Sequence, residues 1–238
     1  MNNRKQKIIL IGAISVFVVI ITTALIIRSV RKKNGIKLKN PNPKKILIVG
    51  DSQSAIISPS GQRINYTYPN LLQDRLEKNG VEIDVMASVG KTTAWMKKNL
   101  PLQLAKKKYD RVIIYGGGND TSSSSISLET TLNNIQDMVD MSIENGADAF
   151  VNLGYKIQGD FGNYKIMPLT AYIKDRKKWI PFVEKRKKLQ QLIPQKIKNA
   201  IFIPAYDLES KTTDGIHPTA SGHKIVADKI YDSIVKKY

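Results

Sequence analysis

Residues 46–54 read ILIVGDSQS, an apolar run that leads directly into Gly50, Asp51 and Ser52. A short apolar run that ends at a glycine predicts a buried strand followed by a tight turn, because glycine permits close backbone packing. A serine at a strand-to-helix turn presents its hydroxyl beyond the sheet edge, beside the N–H groups and positive dipole end of the next helix. Ser52 is therefore a candidate nucleophile, although GDS alone also fits a serine that only caps a helix.

Four more apolar runs alternate with amphipathic stretches along the rest of the chain. We predict strands over 46–49, 81–87, 111–115, 149–153 and 200–204. Strands alternating with helices predict an α/β fold, a three-layer αβα sandwich with a five-stranded parallel sheet. One helix follows Ser127 as a possible N-cap, shows apolar residues at helical spacing over 128–139, and ends before Gly146. Another is predicted over 225–234.

Two stretches, 57–68 and 154–172, carry glycine, proline and aromatic residues and remain unassigned. They follow the first and fourth predicted strands. Ligands of open α/β sheets bind beyond the carboxyl ends of the strands, so these stretches either determine selectivity or only decorate the surface.

A candidate base lies near the other end of the chain, in Asp214-Gly215-Ile216-His217-Pro218. A carboxylate three residues before a histidine on a tight loop can reach the ring, fix its tautomer and stabilise the imidazolium. The far nitrogen can then take a proton from serine. Ser52, His217 and Asp214 thus form a plausible triad, and the alternative is a histidine that only caps the next helix.

Candidate donors for an oxyanion follow the second and third predicted strands. Gly90 can offer an unobstructed backbone N–H, and the glycines before Asn119 allow its amide to approach the same point. With the Ser52 N–H they would make a three-donor oxyanion hole. Because glycines at strand ends are common turn formers, Gly90 is the weakest of the three assignments.

Four short motifs occur along the chain in the order GDS, a following glycine, G-x-N-D and D-x-x-H-P. Together they resemble the conserved blocks of the SGNH hydrolase superfamily, which is also called the GDSL-like lipases and acylhydrolases. The resemblance spans residues 45–238. It implies a flavodoxin-like αβα fold, no metal or other cofactor, Ser52 as nucleophile, oxyanion donors at Gly90 and Asn119, and a triad completed by Asp214 and His217. Gln53 replaces the leucine of the eponymous motif.

The amino-terminal region predicts a membrane anchor. Residues 8–27 contain no charge, and a stretch of twenty apolar residues is long enough to cross a bilayer as a helix. We therefore predict a basic tail over 1–7, a transmembrane helix over 8–27, a basic linker over 28–44 and the hydrolase domain over 45–238. A cleaved signal peptide is the alternative, but its A-x-A-like site is missing. Flanking charges favour a cytoplasmic domain weakly, whereas a surface-polymer substrate favours an extracytoplasmic one.

The net charge of +18 divides unevenly. Residues 1–40 carry nine basic and no acidic residues, which leaves 29 basic and 20 acidic residues, or +9, for 41–238. The basic groups at 97–98, 106–108 and 186–188 are typical of solvated helix faces, or else of a patch that gathers anionic polymer or lipid head groups. No nucleic-acid module accompanies them, so a nucleic-acid partner is not expected.

The lack of cysteine excludes a thiol nucleophile and thiolate metal sites, and two histidines exclude an all-histidine metal centre. We predict an esterase that removes an acyl group, most simply acetyl, from a carbohydrate or other cell-surface polymer. The alternatives are a lipase or thioesterase acting on lipid and a non-catalytic, membrane-tethered module that binds anionic polymer. The sequence specifies no oligomeric state.

Overall fold

The computed structural model describes residues 38–57, 60–155, 169–208 and 216–235, with side chains from 181 onward in the helix that begins at 169. The strands are β1 Lys45–Gly50, β2 Glu82–Ala87, β3 Arg111–Tyr115, β4 Asp148–Asn152 and β5 Ile201–Ile203. The helices are α1 Tyr68–Leu76, followed by a 3₁₀ turn Glu77–Asn79, then α2 Thr93–Leu104, α3 Gly118–Ser122, α4 Leu128–Glu144, α5 Leu169–Lys196 and α6 Ala220–Ile234.

All five strands are parallel and lie in the order β2-β1-β3-β4-β5. Gly50 at the end of β1 pairs with Ala87 at the end of β2 and with Tyr115 at the end of β3. The three strands therefore end at one level, and the loops that follow them meet at one edge of the sheet. The prediction of a five-stranded parallel sheet is confirmed.

Helices cover both faces of this sheet, and β1 shows why its apolar run is continuous. Leu47 and Val49 face a core formed with α2, α4 and α5, whereas Ile46 and Ile48 face a second core formed with α1 and α6. All four side chains are fully buried. A strand buried on both faces reads as an uninterrupted apolar run, as here. The predicted three-layer arrangement is present.

Local capping signals place the ends of α4 where the sequence predicts them. The Ser127 hydroxyl accepts a hydrogen bond from the Thr130 N–H at 2.9 Å. Gly146 lies just past the helix with φ of +100°, the left-handed conformation that glycine adopts without a Cβ penalty. The predicted carboxyl-terminal helix is also confirmed, with Thr219 as its N-cap.

The predicted tail, membrane span and most of the linker lie outside the described residues. None of the described helices combines the length and the apolar composition that a membrane span requires. Residues 38–44, the end of the predicted linker, contact the amino-terminal side of the sheet. Asp148 accepts from the Lys39 N–H at 3.1 Å, and Asp110 accepts from the Lys44 N–H at 2.7 Å.

The two unassigned stretches differ in outcome. The first ends where α1 begins, at Tyr68, after an isolated antiparallel bridge between Ile57 and Arg63. The second lies outside the described residues over 156–168, and its last residues belong to α5, which begins at Leu169. This 28-residue helix packs against α3 and α4 and contributes one wall of the site.

Candidate active site

Ser52 and His217 meet at the carboxyl edge of the sheet. Ser52 lies in the turn after β1, and its Oγ is 2.9 Å from Nε2 of His217, although 165 positions separate the two residues. Gly50 makes this turn possible, because a Cβ on it would lie 2.2 Å from the Ser54 Oγ. A larger residue at position 50 would push the Ser52 turn away from the sheet.

Hydrogen bonds to Ile216, the residue before His217, hold the loop that carries His217. The Ile216 carbonyl accepts a hydrogen bond from Nε2 of Gln53 at 2.7 Å and another from the Tyr155 hydroxyl. Gln53 therefore ties the serine turn to the histidine loop, a role that its sequence position does not reveal because the contact joins residues 163 apart. Asp214, the predicted third member of the triad, lies outside the described residues.

The two loops predicted to supply oxyanion donors are hydrogen-bonded to each other. The Asn119 amide donates to the Lys91 carbonyl at 2.9 Å. The Asp120 carboxylate accepts from the Thr93 N–H at 2.9 Å and from the Thr93 hydroxyl. One N–H of the Asn119 amide is thus used to hold its orientation, and the second is left for another acceptor.

Gly90 has φ of +73°, a left-handed conformation that favours glycine. It is exposed and precedes Lys91, whose carbonyl holds Asn119. Ser52, His217 and Asn119 all line one cavity, whereas Gly90 is not among the described residues that line it.

The cavity has a volume of about 180 Å³ and lies at the carboxyl ends of β3 and β4. Its outer wall comes from α5, and the lining residues of that helix are Phe182, Arg186, Leu189, Gln190 and Ile193. Polar groups on the other walls include Ser122 and Asn152. None of the predicted catalytic or oxyanion-binding residues lies on this helix.

The prediction of a solvated helix face over 186–188 is wrong for Arg186, which is only 7% exposed. Val183, Arg186, Leu189 and Ile193 follow one another at spacings of three, three and four, so they share one face of α5. The three apolar residues of this set are buried. Their period is the signal that could have placed Arg186 on the inner face.

Two buried titratable groups flank Ser52 and His217. Burial raises the pKa of the Asp51 carboxyl from 3.8 to about 6, and the Gln53 N–H, Arg186 and His217 oppose part of that rise. Burial and the nearby His217 lower the pKa of His223 to about 4. The His223 Nδ1 accepts from the Tyr68 N–H at 3.3 Å, so His223 is a neutral packing residue at ordinary pH.

The geometry brings a serine hydroxyl against an imidazole nitrogen and places a side-chain amide in the same cavity. Within the described ranges, no three His, Cys, Asp or Glu side chains are grouped as metal ligands. Such an arrangement can activate serine for attack on a carbonyl carbon.

Residues 48–225 match the model of the GDSL-like lipase/acylhydrolase family. No curated protein is similar enough in sequence to match the chain. Among solved structures, TesA shares 22% identity with a TM-score of 0.53, over 80% of this chain and 98% of TesA.

A catalytic mutant of Axe2, an acetylxylan esterase from Geobacillus stearothermophilus, shares 15% identity with a TM-score of 0.60, over 80% of this chain and 94% of that one. The psychrotrophic esterase EstA from Pseudoalteromonas sp. shares 20% identity with a TM-score of 0.54, over 81% and 97%. At these identities the likeness shows a common fold.

Proposed function

Since the chain belongs to the GDSL-like lipase/acylhydrolase family, whose members are serine ester hydrolases, we propose that it removes a short acyl group, most simply acetyl, from a carbohydrate or cell-surface polymer. The observation that carries the assignment of the site is the 2.9 Å contact between Ser52 Oγ and His217 Nε2. In this proposal residues 8–27 anchor the protein in the membrane, and the domain lies outside the cytoplasm.

In the first half of the reaction, the Ser52 oxygen attacks the ester carbon while His217 Nε2 takes its proton. The tetrahedral intermediate then collapses, and His217 returns the proton to the leaving alcohol. Water repeats the sequence on the acyl-enzyme and releases the acid. Asp214 would accept from the other ring nitrogen and stabilise the imidazolium.

The negative charge of the intermediate would be bound by the N–H groups of Ser52 and Gly90 and by the Asn119 amide. These donors gain most of their strength as charge develops on the ester oxygen, and so they accelerate the chemical step more than they tighten substrate binding. The hydrogen bond from Asn119 to Lys91 supports this role, because a preoriented donor needs no reorganisation during the reaction.

The size and lining of the cavity favour a small acyl group over a long chain. Its 180 Å³ is below the ~300–1,000 Å³ of typical small-molecule sites. In its walls, the Ser122 hydroxyl oxygen and the Gln190 amide oxygen can accept hydrogen bonds from sugar hydroxyls, since only their donor groups are engaged within the protein. Axe2, which shares the fold, is described as an acetylxylan esterase.

The nucleophile is tested by Ser52→Ala in the purified full-length chain. We expect ester hydrolysis to fall by several powers of ten and fluorophosphonate labelling to disappear, because the attacking oxygen is lost with little packed volume. Ser124→Ala, an exposed serine outside the cavity, is the matched control and should retain both. Near-normal turnover in Ser52→Ala would remove the nucleophile assignment.

The substrate class is tested with a panel of esters from acetyl to long-chain acyl, together with acetylated glycans. We expect turnover to be highest for acetyl and to fall as the acyl chain lengthens. A preference for long-chain esters would favour the lipase alternative. Absence of both hydrolysis and fluorophosphonate labelling would favour a non-catalytic binding module.

A further inference from the structure

Arg186 places a positive charge in the wall of the cavity that contains Ser52 and His217. The side chain is 7% exposed, and the ion pairs formed among the described residues do not include it. Guanidinium stays protonated in proteins. A buried charge without an ion-pair partner costs stability, so its presence beside a nucleophile calls for a functional reason.

The contacts around Arg186 hold it in one orientation. Its guanidinium lies 4.9 Å from the ring centroid of Tyr155, a cation–π contact. On one side Lys185 donates to the carbonyls of Ser123 and Ile126, at 2.6 and 2.5 Å. On the other side, Gln190 donates to the carbonyl of Leu153 at 2.8 Å and to that of Tyr155 at 2.7 Å. This part of α5 is therefore fixed to the loops that frame the cavity.

Among the described carboxylates, Asp51 has the strongest electrostatic attraction for the Arg186 guanidinium, but the two side chains do not form an ion pair. Gly118 lies between them: a Cβ on this glycine would be 3.5 Å from Asp51 Oδ2 and 3.8 Å from a terminal nitrogen of Arg186. The other titratable groups of the cavity wall are Tyr115, which is buried, and His217, whose Nε2 contacts the Ser52 Oγ. The guanidinium also hydrogen-bonds the Tyr155 side chain, and the rest of its five N–H donors can serve an acceptor that enters the cavity.

Resting on the ester hydrolysis proposed above, we propose that Arg186 is a substrate-binding residue that recognises an anionic group, a carboxylate or phosphate, close to the ester bond. The planar guanidinium donates in a fork that matches both anions. The cavity of about 180 Å³ restricts that group to a small one. The natural substrate is therefore an ester of an acidic sugar or polymer unit, or a half-ester of a short dicarboxylic acid.

The test uses two isosteric ester pairs and the full-length chain. In 4-acetoxybenzoate and 4-acetoxybenzamide the charge is on the alcohol half, and in monoethyl succinate and ethyl succinamate it is on the acyl half. Base uptake at constant pH gives kcat/KM for each ester. In one of the pairs, the wild type is expected to prefer the carboxylate by about 10- to 100-fold, the range for a charge-assisted hydrogen bond.

Three variants assign that preference to Arg186. Arg186→Gln should lower kcat/KM for the preferred carboxylate about 10- to 100-fold more than for its carboxamide, mostly through KM, and Arg186→Lys should keep part of the preference. Lys188→Gln removes a positive charge from the exposed face of the same helix and should leave the preference unchanged. This control excludes a general effect of net charge.

The inference would be overturned if the wild type hydrolysed carboxylate and carboxamide equally well in both pairs. It would also be overturned if a preference for the carboxylate survived in Arg186→Gln. Both results would leave the proposed hydrolase activity intact. Equal loss on both members of a pair in Arg186→Gln and Arg186→Lys would mean that Arg186 only maintains the structure, and would also overturn it. No Ser52-dependent hydrolysis of any ester would instead refute the proposed function, and the inference with it.

Discussion

The replacement Asn119→Ala separates a donor for the transition state from a residue that only stabilises a loop. The Asn119 amide donates to the Lys91 carbonyl at 2.9 Å and lines the same cavity as Ser52. Loss of one oxyanion donor lowers kcat by ~10²–10³, about 2.7–4 kcal/mol, with a smaller change in KM. Loss of the hydrogen bond to Lys91 costs about 1 kcal/mol of stability, a Tm decrease of ~2–4 °C for a domain of this size.

A matched control is available in α2. Asn99 is also half-buried and donates to one backbone carbonyl, that of Trp95, at 2.8 Å, but it does not line the cavity. Asn99→Ala should therefore change Tm by a similar amount and leave kcat near the wild-type value. Measuring kcat per folded molecule and Tm on the same preparations compares the two variants. A decrease in Tm with preserved kcat in Asn119→Ala would refute its role as a donor.

Three further predictions follow from the contacts around the site and the sheet. Gln53→Leu removes the hydrogen bond to the Ile216 carbonyl. Because the His217 imidazole is then misplaced, steady-state kinetics should show kcat lowered about tenfold. An unchanged kcat would mean that the contact is dispensable. Burial in the folded state raises the pKa of Asp51 from 3.8 to about 6, so folding favours the protonated carboxyl and stability is lost as pH rises through this interval. Asp51→Asn should reduce this loss by up to about 3 kcal/mol, which denaturation at pH 4 and pH 7 will measure. Parallel stability profiles of the wild type and the variant would contradict this prediction. Removing residues 1–37 should release an active domain from membranes. Removing residues 1–44 should also lower Tm, because the hydrogen bonds from residues 38–44 to Asp110 and Asp148 are lost. Equal Tm values for the two truncated proteins would exclude a stabilising role of residues 38–44.

Much of the fold is predictable from local patterns. The five apolar runs are strands in the structure, and no strand end differs from its predicted position by more than one residue. The Ser127 cap and the Gly146 terminus of α4 are also where the sequence predicts them. These signals are readable because they depend on residues within about four positions of each other, as apolar period and capping do.

The part of the site built by α5 is not predictable in the same way. Arg186 belongs to a basic triplet that looks solvated in the sequence, yet it is buried against Tyr155. The helical period places Arg186 on the inner face of α5, but its position in the cavity wall depends on where the helix packs against the loops after the strands. The hydrogen bonds of Lys185 and Gln190 to distant carbonyls contribute to that packing, and no local pattern encodes them.

The class of fold and the candidate residues of the site can be inferred from the amino-acid sequence, because strand period and short motifs depend on residues close together in the chain. The 2.9 Å contact between the Ser52 Oγ and the His217 Nε2, which lie 165 positions apart, exists only in the folded chain. The same holds for the contact of Gln53 with the histidine loop and for the place of Arg186 in the cavity wall. The physical reason is that such contacts depend on the register of parallel strands and the packing of helices across the sheet, to which the whole chain contributes.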